Sequence, residues 1–330
     1  MTQKTKPSAI QATLRQPNYW RYILGNGLSL IGTWMQRVAV GWLAWELTHS
    51  PAWLGIIAMA DFAPVFILGP LGGALADRHS RIMVMVGAQL AATLSALTLF
   101  GLSATGLLTV WHLAIFTFIT GCAVGINQPA RLALVPNLVP RELLTTAISI
   151  NAMVFNGARF VGPMFSTAVI ALWSIHGSFL INACSYMALI IALLSLRIPA
   201  HERPRTDGQQ QSLLDDIGEG IQFIRQHAAI RLIIAIMAMA ALCLRSVVDL
   251  LPGLTSDVFG KGADEFAVLT AIFGIGAIIG GIWMARRGGL GDQPIVALWG
   301  VLGTALFTVA LISTQEYMVA LPVALGIGFT

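Results

Sequence analysis

Residues 52–76 read AWLGIIAMADFAPVFILGPLGGALA, and Asp77-Arg78-His79-Ser80-Arg81 follow. The first stretch exceeds the roughly 20 apolar residues that carry a helix across a bilayer. It holds one ionised residue, Asp61, and ends on a basic turn. A helix this apolar has no polar face to turn toward water. Composition extends the reading. Of the 330 residues, 56% are hydrophobic and 10% are charged, against roughly 25% charged in soluble domains. Such a chain cannot cover itself with polar groups, so lipid is its solvent.

Outward from this run, similar ones recur at 20–46, 82–104, 108–134, 143–172, 176–197, 230–251, 265–286, 293–313 and 316–330. The expected fold is all-α, a polytopic transmembrane helix bundle. Residues 1–19 are polar and lack a cleavable signal pattern, so the first run reads as a retained helix. Cys122, Cys184 and Cys243 all lie in apolar runs without metal-site spacing, which makes them packing residues.

Charge placement sets the expected orientation. Lys4, Lys6, Arg15 and Arg21 precede or open the first span; Arg78, Arg81, Arg131, Arg141, Arg197, Arg286 and Arg287 fall at alternate loops. On the opposite side the basic residue is Lys261. Basic loops stay cytoplasmic, which predicts a multi-pass inner-membrane protein with a cytoplasmic N-terminus. The same placement explains the net charge of +4 without a nucleic-acid partner.

Residues 198–229 form the one long polar stretch. Leu213, Leu214, Ile217, Ile221 and Ile224 recur there at helical spacing, after Ser212 and Asp215 in a capping-box pattern. An amphipathic surface helix is expected. It divides a six-helix bundle at 1–197 from a four-helix one at 230–330. The two units look related: Gly72-Gly73 and Arg37 reappear as Gly280-Gly281 and Arg245 at a common offset. A second unit matching the first would run to about residue 405, so the sequence reads as C-terminally truncated, lacking roughly two helices.

The strongest motif is Gly73-Ala-Leu-Ala-Asp77-Arg78-His-Ser-Arg81. Its glycine is expected to permit close helix approach. Asp77 either pairs with a base at the membrane mouth or caps the next helix, and the arginines anchor the turn. The segment resembles the loop signature of the major facilitator superfamily, with Ser80 in place of glycine and Ile82 in place of the final base. Gln128-Pro129-Ala130-Arg131, Asn156-x-x-Arg159-x-x-Gly162-Pro163 and the residues from Glu219 to His227 resemble its enterobactin-exporter-like and macrolide-efflux-like branch. The resemblance implies two six-helix halves, a latch at Gly73, Asp77, Arg78, Arg81 and Arg131, and a kink at Gly162-Pro163.

Ionisable residues inside spans are costly and turn toward the interior or a wet cavity. Arg37, Asp61, Arg159, Arg245 and Asp249 qualify. Arg37 and Asp61 lie equally far from position 49 along the first hairpin, so they reach similar depth and can pair. Arg245 and Asp249 share a helix face. Two roles stand open: the pairs neutralise one another and hold register, or an acid exchanges a proton while an arginine attracts an anionic substrate. Asn156 joins the candidates through its motif. Asn26, Gln36, Gln89, Asn127, Asn151 and Asn182 either line a cavity or bond across helices. Trp34, Trp42 and Trp45 either stack on substrate or pack, and Glu46 reads as interfacial.

Nucleophile elbow, Walker loop and paired metal-site histidines are missing, so neither enzyme, cofactor nor metal is expected. The expected function is alternating-access transport of a small amphipathic molecule, drug-like or siderophore-like. Coupling to protons and export follow from the resemblance, in a protein acting as a monomer in the lipid bilayer. A nutrient importer, a membrane-embedded enzyme and a non-transporting fragment are the rivals.

Overall fold

The computed structural model describes residues 8–197, 222, 224–227, 231, 249–287 and 293–330. Proline and polar caps start the helices. A Ser8–Gln11 capping box opens α1 (Ala9–Leu14). Pro17 and Pro51 supply the first turns of α2 (Pro17–Thr48) and α3 (Pro51–Arg78), where a missing N–H costs nothing. After α4 (Arg81–Ala104), Thr109 caps α5 (Val110–Leu134) by accepting from the His112 N–H. Then follow α6 (Leu144–Leu172) and α7 (Gly177–Leu194). A π turn at Leu254–Val258 precedes α8 (Ala263–Arg287), α9 (Gln293–Ser313) and α10 (Tyr317–Phe329).

The expected spans within the described residues are all helices, with ends displaced by a few residues. The linker and the span 230–251 lie largely outside the described residues. So do Arg245 and the Ser212–Asp215 box. Five described helices are both long and apolar enough to cross a membrane: α3, α4, α5, α7 and α8. The equally long α2 and α6 carry polar residues between their apolar ones: Asn26, Gln36 and Arg37, then Asn151, Asn156 and Arg159. Phe66, Ile67, Leu94, Leu172 and Leu306 are exposed on the outer surface. Lipid rather than water suits such a surface.

Alternate turns lie at opposite ends of the bundle. The near face carries the chain's entry at α1 and the α3–α4 turn. The far face carries the α2–α3, α4–α5 and α6–α7 turns. In the first half α3 packs on α5, α4 on α5 and α7, and α2 on α6 and α7. In the second half α8 packs on α10, and α6 bridges to α8.

Glycine sets the closest approaches, with one correction to the sequence reading. A Cβ on Gly72 would lie 2.7 Å from the Ile126 Cα of α5, whereas one on Gly73 meets open space. The motif glycine therefore does not make the close contact; its predecessor does. The pattern repeats in the second half. A Cβ on Gly280 would collide with the Phe329 carbonyl of α10, and one on Gly281 meets nothing. Of the two readings open for Asp77, capping of the next helix is the one that falls. Helix α3 runs through it to Arg78, and Ser80 holds the N-cap position of α4, so Asp77 is not the cap.

Beside the α6–α8 contact, the far end of α2 forms part of the seam between the halves. Trp42 stacks on Phe266 with ring centroids 5.8 Å apart. A Cβ on Gly253 would sit 2.8 Å from the Trp45 ring, and Gly41 lies against Pro252. Val38 joins Leu251, Phe266, Leu269 and Leu311 in one buried cluster.

Candidate functional site

Arg37 of α2 and Asp61 of α3 form an ion pair, Nη2 to Oδ2 at 2.8 Å, with side chains 34% and 14% exposed. Equal depth along the hairpin brings them level, as their spacing predicted. The backbone behind Asp61 is pressed by α5: a Cβ on Gly121 would lie 2.7 Å from the Asp61 carbonyl oxygen. Trp34, one turn before Arg37, holds that guanidinium over its ring at 4.5 Å and the Arg159 guanidinium at 5.6 Å. Such contacts contribute about 0.5–2 kcal/mol each, more where desolvated. Gly162 makes the arrangement possible. A Cβ there would meet the Trp34 Cβ at 2.5 Å and the Ile31 carbonyl at 2.9 Å. The absence of that atom lets α6 lie against α2 and carries Arg159, one turn earlier, to the indole. Pro163 is buried beside it.

A hydrogen-bonded layer between α2 and α7 supports the pair. Asn182 donates to Gln36 Oε1 at 2.7 Å, and Ser185 donates to Asn182 Oδ1 at 2.9 Å. Thr33 and Tyr186 hydroxyls meet at 3.1 Å. Through Thr33, Tyr186 joins this layer beside the pair. Sequence reasoning missed Tyr186 and Thr33. The available signal was the tyrosine itself, because a phenol in an apolar span needs a partner. A double-mutant cycle on Gln36→Ala and Asn182→Ala should give a coupling of about 0.6–1.7 kcal/mol in thermal melts of the detergent-solubilised protein. Additive losses would show that the bond contributes nothing.

The remaining candidates separate. Asn156 is exposed and donates to the Ala152 carbonyl of its own helix at 2.9 Å, apart from the charges. Asp249 is half-buried at the start of the segment leading to the π turn. Its expected face-mate Arg245 lies outside the described residues. Asp77 and Arg78 are exposed. Arg81 donates to the Ala133 carbonyl at 2.9 Å and so ties the α3–α4 turn to the end of α5. Arg131, grouped with that turn by sequence, is 6% exposed. Its side chain faces inward, over the Phe155 ring at 5.6 Å. Trp42 and Trp45 pack at the seam rather than beside the charges, and Glu46 is exposed. Asn26 and Asn151 bond across helices. Among the described residues, no cluster of three or more His, Cys, Asp or Glu stands close enough to hold a metal.

A bundle of apolar helices with an ion pair and an Arg–Trp–Arg stack inside it defines a multi-pass membrane protein with a charged interior. Residues 8–329 match the transmembrane secretion effector family, and the chain belongs to it. It is 25% identical over 266 residues to macrolide efflux protein A of Streptococcus pyogenes, covering 80% of this chain and 65% of that protein. It is 25% identical over 301 residues to the enterobactin exporter EntS of Shigella boydii, covering 88% and 68%. The chain spans about half to two-thirds of the length of the curated relatives it matches. Among solved structures, a bacterial homologue of the human lysosomal transporter Spinster, inward-facing and unoccupied, superposes with a TM-score of 0.67. That match has 14% identity and covers 95% of this chain and 72% of that one. The shared fold is the major facilitator fold.

Proposed function

We propose that the protein is a secondary transporter that exports a small amphipathic molecule from the cytoplasm in exchange for protons. The observation that carries this reading is the Arg37–Asp61 pair. An ion pair inside apolar helices is retained at a cost unless it does work or holds register. Protonation of Asp61 removes its charge and releases the Arg37 guanidinium, leaving Arg37 and Arg159 on Trp34 to attract an anionic or aromatic group. Deprotonation restores the pair and expels that group. The two halves rock about the interior so that it opens to one side at a time. The names of two relatives, a macrolide efflux protein and an enterobactin exporter, support efflux of a drug-like or siderophore-like compound. The alternating basic loops support an inner-membrane location with the near face cytoplasmic.

The test is reconstitution into liposomes loaded with a pH-sensitive dye. A siderophore gradient should drive proton movement in the opposite direction, and an imposed pH gradient should drive siderophore movement. Movement in the same direction as the protons would establish import. Substrate movement indifferent to the pH gradient would reject the coupling.

A further inference from the structure

We infer that Arg131 is the centre of a second binding station, for the carboxylate of an amphipathic organic anion, toward the near face of the bundle. The station lies between α2, α5 and α6. Arg131 is buried, and its Nη2 donates to Gln128 Oε1 at 2.6 Å while its Nε has no partner. Among the described residues no carboxylate stands within ion-pair distance of it. A buried guanidinium is strongly destabilising without a counter-charge, so an arrangement like this one is completed by an anion.

The surrounding groups match that anion. Tyr22 Oη and Asn26 Nδ2 both point at Asn151 Oδ1, at 3.5 and 3.4 Å. These are long for hydrogen bonds. Two donors thus share one acceptor weakly, one turn of α6 from the Phe155 ring that lies under a guanidinium with a donor to spare. A carboxylate, which accepts at about four lone-pair sites, satisfies all of them. A guanidinium fork also fits it in two-point fashion. Asn127, one helical turn before Arg131, adds a buried Oδ1 without a partner. Turning that amide presents its NH2 group instead. Phe155 covers the guanidinium and is 37% exposed, so its ring closes the approach from α6 and offers an apolar flank. Asn26 stands about 16 Å along α2 from Arg37. The two positive stations are therefore separate, and an anion can occupy them in succession.

The inference rests on the chain having a transporter's accessible interior, and it is independent of proton exchange at Asp61. The test measures binding of tritiated benzoate to the purified protein in detergent. Wild type should bind it saturably, with neutral benzamide failing to compete. Arg131→Gln should weaken binding by about tenfold or more, the scale of a charge-assisted bond, and Arg131→Lys should restore part of it. Benzoate binding is read without a pH gradient or net transport, which separates failure of this site from failure of proton coupling. Gln128→Ala keeps the charge and frees the Nη2 donor, so it should tighten binding about 2–10-fold. That variant decides the matter if Arg131→Gln does not fold. The inference is overturned by absence of saturable binding in wild type. It is equally overturned by unchanged or weaker binding in Gln128→Ala, or by loss of binding in Arg159→Gln with Arg131→Gln unaffected.

Discussion

Asp61→Asn should reduce pH-gradient-driven transport at least about tenfold and leave the protein folded. The substitution keeps the shape of the side chain and its ability to accept from Arg37 Nη2, now at 2.8 Å. It removes the one ionisable hydrogen. A residue that trades a proton cannot be replaced by one that carries none, whereas a residue that merely holds register tolerates a hydrogen-bonding isostere. Arg37 is one-third exposed, so the lost Coulomb attraction is screened and the fold survives. Counterflow, the exchange of labelled for unlabelled substrate without net proton movement, should persist in the variant. Undiminished uphill transport by Asp61→Asn would reduce the pair to a register device.

Gly72→Ala should lower the stability of the detergent-solubilised protein by about 1–3 kcal/mol, the cost of overpacking. Gly73→Ala should be neutral or stabilise by up to roughly 1 kcal/mol, as glycine replacement within a helix does. The added methyl at position 72 meets the backbone of α5 at Ile126, which has no rotamer to yield, while position 73 faces open space. The second half should mirror the result, with Gly280→Ala costly and Gly281→Ala tolerated, because the Phe329 backbone of α10 stands in the corresponding place. Equal melting temperatures for the members of either pair would contradict the packing.

Distances along a helix were readable from the sequence and rotations about it were not. The spans followed from apolar length, and the Arg37–Asp61 pair followed from equal depth in one hairpin. Which of two adjacent glycines touches α5 depends on how α3 is turned about its axis. That helix is apolar on every side and offers no pattern to fix the turn. Arg131 illustrates the same gap. Its place near the end of α5 suggested the basic turn, and tertiary packing instead buries it over the Phe155 ring. Tyr186 entered the site through α7, whose closeness to α2 depends on Gly32 lying against Ser185 and Asn182. Composition carries no sign of such a neighbour.

The contacts of Trp42, Trp45, Gly41 and Val38 with Leu251, Pro252, Gly253 and Phe266 are made by rings and aliphatic carbons. Parting them strands no buried donor or acceptor, so the barrier is a wetting cost that grows smoothly with the gap. Among the described residues named here, a zip of this kind has no polar latch to unpick. In the proposed cycle an electrochemical gradient supplies about 2.3 kcal/mol per charge for each 100 mV, and such a modest drive suits a seam that apolar contacts close among the described residues.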